Sequence, residues 1–257
     1  MEMGNILSES FKYPVSNWKR LLIFGLIFLI YQFCIIGVSR FSRISVLLLI
    51  LIIPGIIAYF IIMGYRLRAM ETSIKGENEA PTFNKWSQML LDGLKVFVVA
   101  IIYGFIPAMI IGLGFFMVIV GSSLMKISGA LVLIVGGILL FGVTLIMVIG
   151  LSNMAYQGKI DAALEFAEIT SKIKKIGWLN LIVIMIILGV INILLAAAAV
   201  LLSVIPILGI FLASIIVCPY MDLFIARAYA LIYKETIDEP GESLMEGVGI
   251  SDESLPV

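Results

Sequence analysis

Six long apolar runs constrain this chain more than any other feature of its sequence. They cover approximately residues 21–38, 45–65, 96–120, 129–151, 178–204 and 208–230. A helix crosses the roughly 30 Å hydrocarbon core of a bilayer with about 20 apolar residues. Since lipid offers no hydrogen-bond partners, each spanning segment must satisfy its own backbone. The runs therefore predict an all-α fold, an integral membrane bundle of six transmembrane helices.

The composition excludes several classes of protein and of site. Hydrophobic residues make up 62% of the 257 and charged residues only 13%, against about 45–50% and 25% in soluble domains. The formal net charge is zero, which gives no bulk attraction to nucleic acid. The chain has no histidine, which excludes histidine metal sites and Ser/His or Cys/His nucleophile pairs. Cys34 and Cys218 both lie in apolar runs, where packing is a more typical role than a disulfide.

The distribution of cations predicts how the chain is threaded. All 17 Lys and Arg residues fall on one side of the membrane except Arg40, Arg43 and Lys126. By the positive-inside rule, both termini are expected in the cytoplasm and the protein in the cell membrane. We divide the chain into an N-terminal interfacial segment (1–20), a six-span domain (21–234) and an acidic cytoplasmic tail (235–257). The composition of the tail is typical of disorder.

The polar passage GENEAPTFNKWSQMLLDGLK lies between the second and third runs. Gly76 is expected to end the second helix, and Asn84 to cap the start of a new one. From Trp86 onward, apolar or small residues recur on one helical face, at positions 86, 89, 90, 93, 94 and 97. This pattern predicts an amphipathic helix half sunk in the inner leaflet that leads into the third span.

Two further amphipathic segments are predicted on the same cytoplasmic side. Before the fifth run, a narrow apolar stripe is formed by Ala162, Phe166, Ile169, Ile173 and Ile176. Residues 1–20 form a shorter version that is broken at Pro14. Amphipathic helices of this kind bind a leaflet by apolar burial and by attraction of Lys and Arg to anionic lipid.

The three tryptophans of the chain are Trp18, Trp86 and Trp178, and each precedes an odd-numbered run. Tryptophan is enriched at the headgroup level because its ring is apolar and its N–H is polar. We therefore interpret them as interfacial anchors. The layout indicates three units, each an interfacial segment followed by a transmembrane hairpin, and leaves open whether they are a true repeat.

Four polar residues form the candidate intramembrane site. Asp222 is the only acid inside a predicted span, and Arg227 follows it by about a turn and a half. Arg66 leaves the second span at a similar depth, and Asn192 lies near the middle of the fifth. One interpretation is a structural ion pair with a helix-packing hydrogen bond. The other is a coupling or substrate site, since intramembrane carboxylates often mark ion pathways.

Prolines and glycines inside the spans allow the same two interpretations. Pro54, Pro107 and Pro219 interrupt spans two, three and six, as in the broken helices of transporters, although proline is also common in ordinary membrane helices. Small residues form ridges on spans three and four, at Gly104, Ala108, Gly112, Gly136, Gly137 and Gly142. Such ridges are typical of helix packing surfaces, or of a dimer face.

Four passages together resemble a known family: FKYPVSNW, GYRLRAM…KGENEAPTFNKWSQMLLDGLK, DAALEFAEITSKIKKIGW and ARAYALIY. They are similar to an uncharacterised domain-of-unknown-function family of archaeal and bacterial multi-pass membrane proteins. That family is distantly similar to Yip-type and glycerophosphodiesterase-associated membrane domains. The resemblance extends to about residue 234 and implies a compact helical membrane domain. It implies no catalytic residue.

These observations lead to one expected function and two alternatives. We expect a non-enzymatic membrane protein that organises the bilayer or scaffolds a partner, with no cofactor. Its expected partners are the lipid bilayer, anionic lipids, and a second copy or another membrane protein, but not nucleic acid. The first alternative is a small transporter or permease subunit that uses Asp222 and Asn192. The second is an intramembrane enzyme, which would need a water-filled cavity joining two carboxylates.

Overall fold

The computed structural model describes residues 3–40, 45–205 and 208–237. Its helices are α1 (Met3–Lys12), α2 (Trp18–Arg40), α3 (Ser45–Ile74), α4 (Trp86–Val120), α5 (Ser123–Gln157), α6 (Phe166–Ile176), α7 (Trp178–Ser203), α8 (Leu208–Leu212) and α9 (Cys218–Lys234). A π-helical turn, Ala213–Val217, makes α8 and α9 one continuous rod. Within the described residues, six helices are long and apolar enough to cross a membrane. The predicted all-α, six-span bundle is thus confirmed. Most of the predicted acidic tail, from residue 238 on, lies outside these ranges.

In the passage between α3 and α4, the helix end at Gly76 is as predicted, but the N-cap of α4 and the start of the third span differ. Helix α3 ends at Ile74 and Gly76 follows in the left-handed conformation, at φ +88°. Asn84 is not the N-cap: Lys85 takes that position, at φ 51°, and no side chain caps the helix. The predicted amphipathic helix and the third span form one helix, Trp86–Val120, with no loop between them.

The prolines have less effect than the sequence predicts. Pro54 and Pro107 lie inside α3 and α4, which continue through them. Only Pro219 accompanies a change of geometry, since it stands at the start of α9 directly after the π-helical turn. At that turn, α2 approaches the rod so closely that a Cβ on Gly25 would overlap the carbonyl of Ile215. The π-helical turn is therefore the place where α2 packs against the α8–α9 rod.

The core of the bundle is concentrated at one end. We call the end where Trp18, Trp86 and Trp178 begin α2, α4 and α7 the charged end, and the opposite one the far end. Most of the largest fully buried side chains lie in the charged-end half, namely Leu21, Phe24, Tyr65, Met70, Met89, Ile149, Met154, Ile169, Ile173, Leu181, Phe224 and Tyr233. Toward the far end, most large apolar side chains are exposed and would face lipid.

Helices α3 and α4 cross through a reciprocal pair of glycines. A Cβ on Gly64 would overlap the carbonyl of Met89, and a Cβ on Gly93 would overlap the carbonyl of Phe60. Each glycine thus faces the carbonyl one turn before the other glycine, so the two backbones are in contact. Close approach through small residues is a common way to pack helices in lipid. This crossing explains why α4 needs glycine at position 93.

The predicted small-residue ridge on the third span is not a packing surface within the chain. Among the described residues, nothing lies within 4 Å of the Cβ positions of Gly104 and Gly112, and Ala108 is exposed. On α5, Gly136 packs against Ile111, whereas Gly137 and Gly142 are open. Of the six small residues, Gly136 thus lies at a helix contact within the chain, while a dimer face stays a prediction for the others. Periodicity does not say which face of a helix meets a neighbour.

Both short amphipathic helices form, but their apolar sides pack against protein. In α6, Ile169, Ile173 and Ile176 are buried in the main core. In α1, Ile6 is buried and the helix packs along α9. The apolar stripes that predict leaflet insertion are therefore covered by the ends of the spans. Only Phe166, among the predicted α6 stripe, is exposed.

Candidate functional site

Arg66 of α3 and Asp222 of α9 form an ion pair across the bundle. The Asp222 side chain is only 6% exposed, and that of Arg66 is 33% exposed. Each also retains a buried polar atom without a hydrogen bond among the described residues, Oδ2 of Asp222 and Nε of Arg66. A carboxylate at such a position is costly without a partner, and Arg66 supplies one.

Arg227 lies in a different cluster from Asp222, although it follows on the same helix. Five positions along an α-helix separate two side chains by about 140°. Arg227 donates hydrogen bonds to Glu9 Oε2 at 2.8 Å, to Asn78 Oδ1 at 3.0 Å and to the Glu77 carbonyl at 2.6 Å. It therefore ties α9 to α1 and to the α3–α4 segment. No pattern in the sequence indicated these contacts, because Glu9 and Asn78 resemble solvated residues.

Tyr13 completes the Arg227 cluster from the turn after α1. The Arg227 guanidinium lies 5.1 Å from the centre of the Tyr13 ring. Burial raises the pKa of the Tyr13 hydroxyl, which shares a 3.4 Å hydrogen bond with the Thr72 hydroxyl. The hydroxyl therefore stays protonated and holds the N-terminal segment against the end of α3.

Asn192 is not part of either cluster. It is half-buried in α7, and among the described residues it makes no hydrogen bond to Asp222, Arg66 or Arg227. The structure therefore brings two of the four predicted site residues together and leaves the other two apart.

A further buried polar network joins α5, α6 and α9, and sequence patterns did not predict it. Fully buried Asn153 donates to Glu168 Oε2 at 3.1 Å and to the Ala162 carbonyl at 2.9 Å. Its own oxygen accepts a 2.5 Å hydrogen bond from the Tyr233 hydroxyl. The one signal in the sequence was that Asn153 lies two residues after the end of the fourth apolar run, at residue 151. Helix α5 continues to Gln157, which also donates to Glu168, at 3.0 Å.

The carboxylates of Glu165 and Glu168, which lie at this network, shift each other's pKa. The hydrogen bond to Glu168 raises the pKa of Glu165, and burial and the negative charge of Glu168 add to the rise. Burial acts to raise the pKa of Glu168, but hydrogen bonds from Asn153 and Glu165 and the charge of Lys172 lower it overall. Glu168 is thus the carboxylate that stays ionised.

A polar cleft of about 350 Å³ opens at the charged end, between the ends of α2, α3 and α4 and the segment joining α3 to α4. It is lined by Arg20, Arg68, Glu71, Thr72, Glu77, Pro81, Thr82, Asn84, Lys85, Gln88 and Asp92. Three of these residues are basic and three are acidic. The cleft therefore has mixed charge and no net charge.

The walls of the cleft are held in place by arginine hydrogen bonds to the backbone. Arg68 donates to the carbonyls of Asn84 and Lys85, at 2.6 and 3.3 Å, which fixes the turn before α4. Arg20 donates to the Ala80 carbonyl and pairs with Glu79 at 3.1 Å. These bonds keep Lys85 in its left-handed conformation at the rim.

The three predicted anchors occupy equivalent positions. Trp18, Trp86 and Trp178 are the first residues of α2, α4 and α7. Their exposures are 55%, 47% and 42%, so each ring is available to lipid at the charged end. Trp86 also stacks on Phe83, which in turn stacks on Tyr65.

Comparison with known protein families shows which family the chain belongs to. A family model described as "Protein of unknown function (DUF4013)" matches residues 47–204, well over half of the chain. The chain belongs to the DUF4013 family. The resemblance predicted from the sequence is thus confirmed, over a shorter range than the predicted extent to about residue 234. No curated protein and no solved structure matches the chain.

The DUF4013 match contains the cleft walls of α3 and α4, together with Arg66 and the Asn153–Glu168 contact. Asp222, Arg227 and α1 lie outside it. Within the described part of this DUF4013 protein, no group of three or more His, Cys, Asp or Glu side chains could hold a metal ion.

Proposed function

We propose that this protein is a non-enzymatic membrane protein that organises the bilayer around it. In this proposal it lies in the cell membrane with the charged end, and both termini, in the cytoplasm. The observation that supports it is a mismatch of apolar lengths within one bundle. The cation distribution supports the orientation, since Lys126 lies at the far end and the cleft and network cations lie at the charged end.

The apolar lengths of α2 and of the α4–α5 hairpin differ clearly. The apolar part of α2, residues 21–38, is about 27 Å long at 1.5 Å per residue. Residues 96–120 of α4 extend about 37 Å and residues 129–151 of α5 about 34 Å. The hydrocarbon core of a bilayer is about 30 Å thick. The hairpin must therefore tilt or locally thicken the bilayer, while α2 favours a thinner one.

The hairpin presents this length directly to lipid. Beyond Tyr103, eight large apolar side chains of α4 are exposed, namely Phe105, Ile106, Met109, Leu113, Phe115, Phe116, Ile119 and Val120. The hydrocarbon thickness of the bilayer next to a lipid-facing helix adjusts toward the apolar length of that helix. The hairpin is thus the part of the molecule that would alter bilayer thickness, rather than α1 or α6, whose stripes are packed in protein.

Shortening the apolar hairpin tests the proposal. Phe116 and Leu131 are exposed toward the far end of α4 and α5. The double variant Phe116→Lys/Leu131→Lys limits each apolar stretch to about 30 Å. Cryo-electron microscopy of vesicles of dioleoyl phosphatidylcholine then measures bilayer thickness around the protein. We expect local thickening of a few Å with the natural chain and none with the variant.

The matched control is Phe116→Leu/Leu131→Phe, which changes the same two positions without adding charge. It should thicken the bilayer as the natural chain does. Equal thickness around the natural chain and the lysine variant would contradict the proposal, because the hairpin would then absorb the mismatch by tilt alone.

A second candidate function is that of a small transporter or permease subunit. The observation in its favour is the buried Oδ2 of Asp222, which has no hydrogen bond among the described residues. In this hypothesis a proton or cation binds there against Arg66. Asp222→Asn in liposomes with a pH-sensitive dye inside should then abolish proton flux, with circular dichroism to check that the variant is folded. Flux equal to that of protein-free liposomes in the natural chain would exclude this candidate.

A further inference from the structure

We infer that the mixed-charge cleft between α2, α3 and α4 binds the phosphoethanolamine headgroup of a membrane lipid. The inference rests on the proposed bilayer-organising function, and it names the lipid chemistry that the charged end recognises. Its volume of about 350 Å³ lies within the range of small-molecule sites, about 300–1,000 Å³.

The charge pattern of the lining favours a zwitterion. Arg20, Arg68 and Lys85 line the cleft together with Glu71, Glu77 and Asp92. A ligand with only negative charge would approach three carboxylates, and a ligand with only positive charge would approach three cations. Like charges in close contact are unfavourable. A phosphate joined to an ammonium by a short linker places each of its charges near partners of opposite sign.

Three lining side chains are available to such a ligand. The Lys85 ammonium, the Glu77 carboxylate and the Gln88 carboxamide form no side-chain hydrogen bond or ion pair with the described residues. Glu77 contacts Arg227 only through its backbone carbonyl. By contrast, Arg20 and Arg68 already hold the walls. Lys85 would therefore contact the phosphate, and Glu77 the ammonium.

The lining also discriminates between kinds of ammonium group. Quaternary ammonium groups such as choline have no N–H donor and are recognised by cages of aromatic rings. None of the eleven residues that line the cleft is aromatic. A primary ammonium has three N–H donors that carboxylates accept. The cleft is thus suited to ethanolamine rather than choline.

The surroundings of the cleft favour a lipid over a soluble molecule. Trp86 follows Lys85 directly and is exposed at the headgroup level. One to two turns further along α4, Leu91 and Leu94 are also exposed. An acyl chain can lie along these side chains while its headgroup occupies the cleft.

Trp86 fluorescence provides the test, because Trp86 directly follows Lys85 of the lining. Trp18→Phe/Trp178→Phe leaves Trp86 as the only tryptophan. This chain is placed in phosphatidylcholine nanodiscs with increasing fractions of phosphatidylethanolamine or phosphatidylglycerol. We expect a saturable emission shift with phosphatidylethanolamine, and no such shift with phosphatidylcholine alone.

Variants in that background locate the binding residues. Lys85→Asn removes the charge with a residue that tolerates a left-handed backbone, and Glu77→Gln keeps the backbone bond to Arg227. Each should raise the half-saturating fraction about tenfold or abolish saturation, as expected for loss of one charge-assisted hydrogen bond. The matched control is Lys159→Gln, which removes an exposed cation of the charged end outside the cleft and should change nothing.

Three outcomes would overturn the inference. A larger shift with phosphatidylglycerol would make the cleft an anion site, and equal curves for the cleft variants and Lys159→Gln would remove the cleft residues from binding. Saturation by soluble O-phosphoethanolamine in phosphatidylcholine nanodiscs, with no effect of the lipid, would assign the headgroup chemistry to a solute. Bilayer thickness is measured in phosphatidylcholine alone and depends on the far end, so either proposal can fail without the other.

Discussion

The charged-end and far halves of the same helices are built differently. Between residues 86 and 103, α4 buries Met89, Gly93, Val96, Val99 and Tyr103, whereas beyond that point it buries only Pro107 and Gly114. Helix α7 buries four residues between 181 and 188, and none of its residues from 189 to 203 is buried. The bundle is therefore tightly packed at one end and open to lipid at the other.

This difference shows what holds a small bundle together in a bilayer. Apolar side chains gain little by leaving lipid for protein, so most of them need no protein neighbour. Backbone contact through glycine and polar bonds between helices remain as specific interactions. The polar bonds are concentrated at the charged end, in the Arg66, Arg227 and Asn153 clusters. The Gly64–Gly93 crossing also lies there, while in the far half α4 and α5 approach each other at Gly114 and Gly129.

The largest expected effect of a substitution is at the glycine crossing. Gly93→Ala places a methyl group into the carbonyl of Phe60, and since this contact is with backbone, the helices must separate. We expect a loss of about 3 kcal/mol or more in the free energy of unfolding. The measurement is unfolding by sodium dodecyl sulfate in mixed micelles, followed by circular dichroism.

Gly104→Ala, eleven positions along the same helix, is the matched control for the far half. A methyl group there meets no atom of the described residues within 4 Å. It should leave stability unchanged or raise it by up to about 1 kcal/mol, because alanine is the better helix former. Similar losses at both positions would mean that the two halves are not packed differently, and would break the comparison.

A smaller effect is expected on the pH dependence of stability, because the α6 network at the charged end contains a carboxylate with a shifted pKa. The pKa of Glu168 is lowered in the folded protein, so its contribution to stability is present above the ordinary carboxyl range and is lost as pH falls through the folded pKa. The raised pKa of Glu165 acts in the opposite direction, with a contribution present at low pH and lost as pH rises.

Thermal unfolding in detergent micelles between pH 7 and pH 3 checks this expectation. The natural chain should lose stability on acidification more steeply than Glu168→Gln, which removes the titrating group. Glu71→Gln is the control, since it breaks only the exposed Glu71–Lys75 pair, which contributes under about 0.5 kcal/mol. A Glu168→Gln profile as steep as that of the natural chain would assign the acid sensitivity to other carboxylates.

Much of the fold was predictable from the sequence for a simple reason. A bilayer requires a spanning helix to be long, apolar and internally hydrogen-bonded, so each span is visible in the chain without knowledge of its neighbours. The same applies to Gly76 as a helix end and to the tryptophans at the starts of three spans. These are local properties of residues and of the bilayer.

The pairing of polar residues was only partly predictable. Asp222 and Arg66 stood out as charges near or within apolar runs, and they do meet. Arg227 pairs instead with Glu9 and the α3–α4 segment, because it lies on another face of α9. Asn153 was overlooked because the predicted fourth span ended at residue 151, and its partners are distant in sequence.

By itself, the sequence of this protein determines that there are six spans and where the apolar part of each lies, since each depends on how one helix partitions between water and lipid. Tertiary structure alone decides which glycine faces meet, which arginine neutralises Asp222, and that the stripes of α1 and α6 face protein. The cleft also arises only there, because its walls come from three helices and a connecting segment. Periodicity specifies that a face is apolar or polar, while the arrangement of the helices in space specifies what that face contacts.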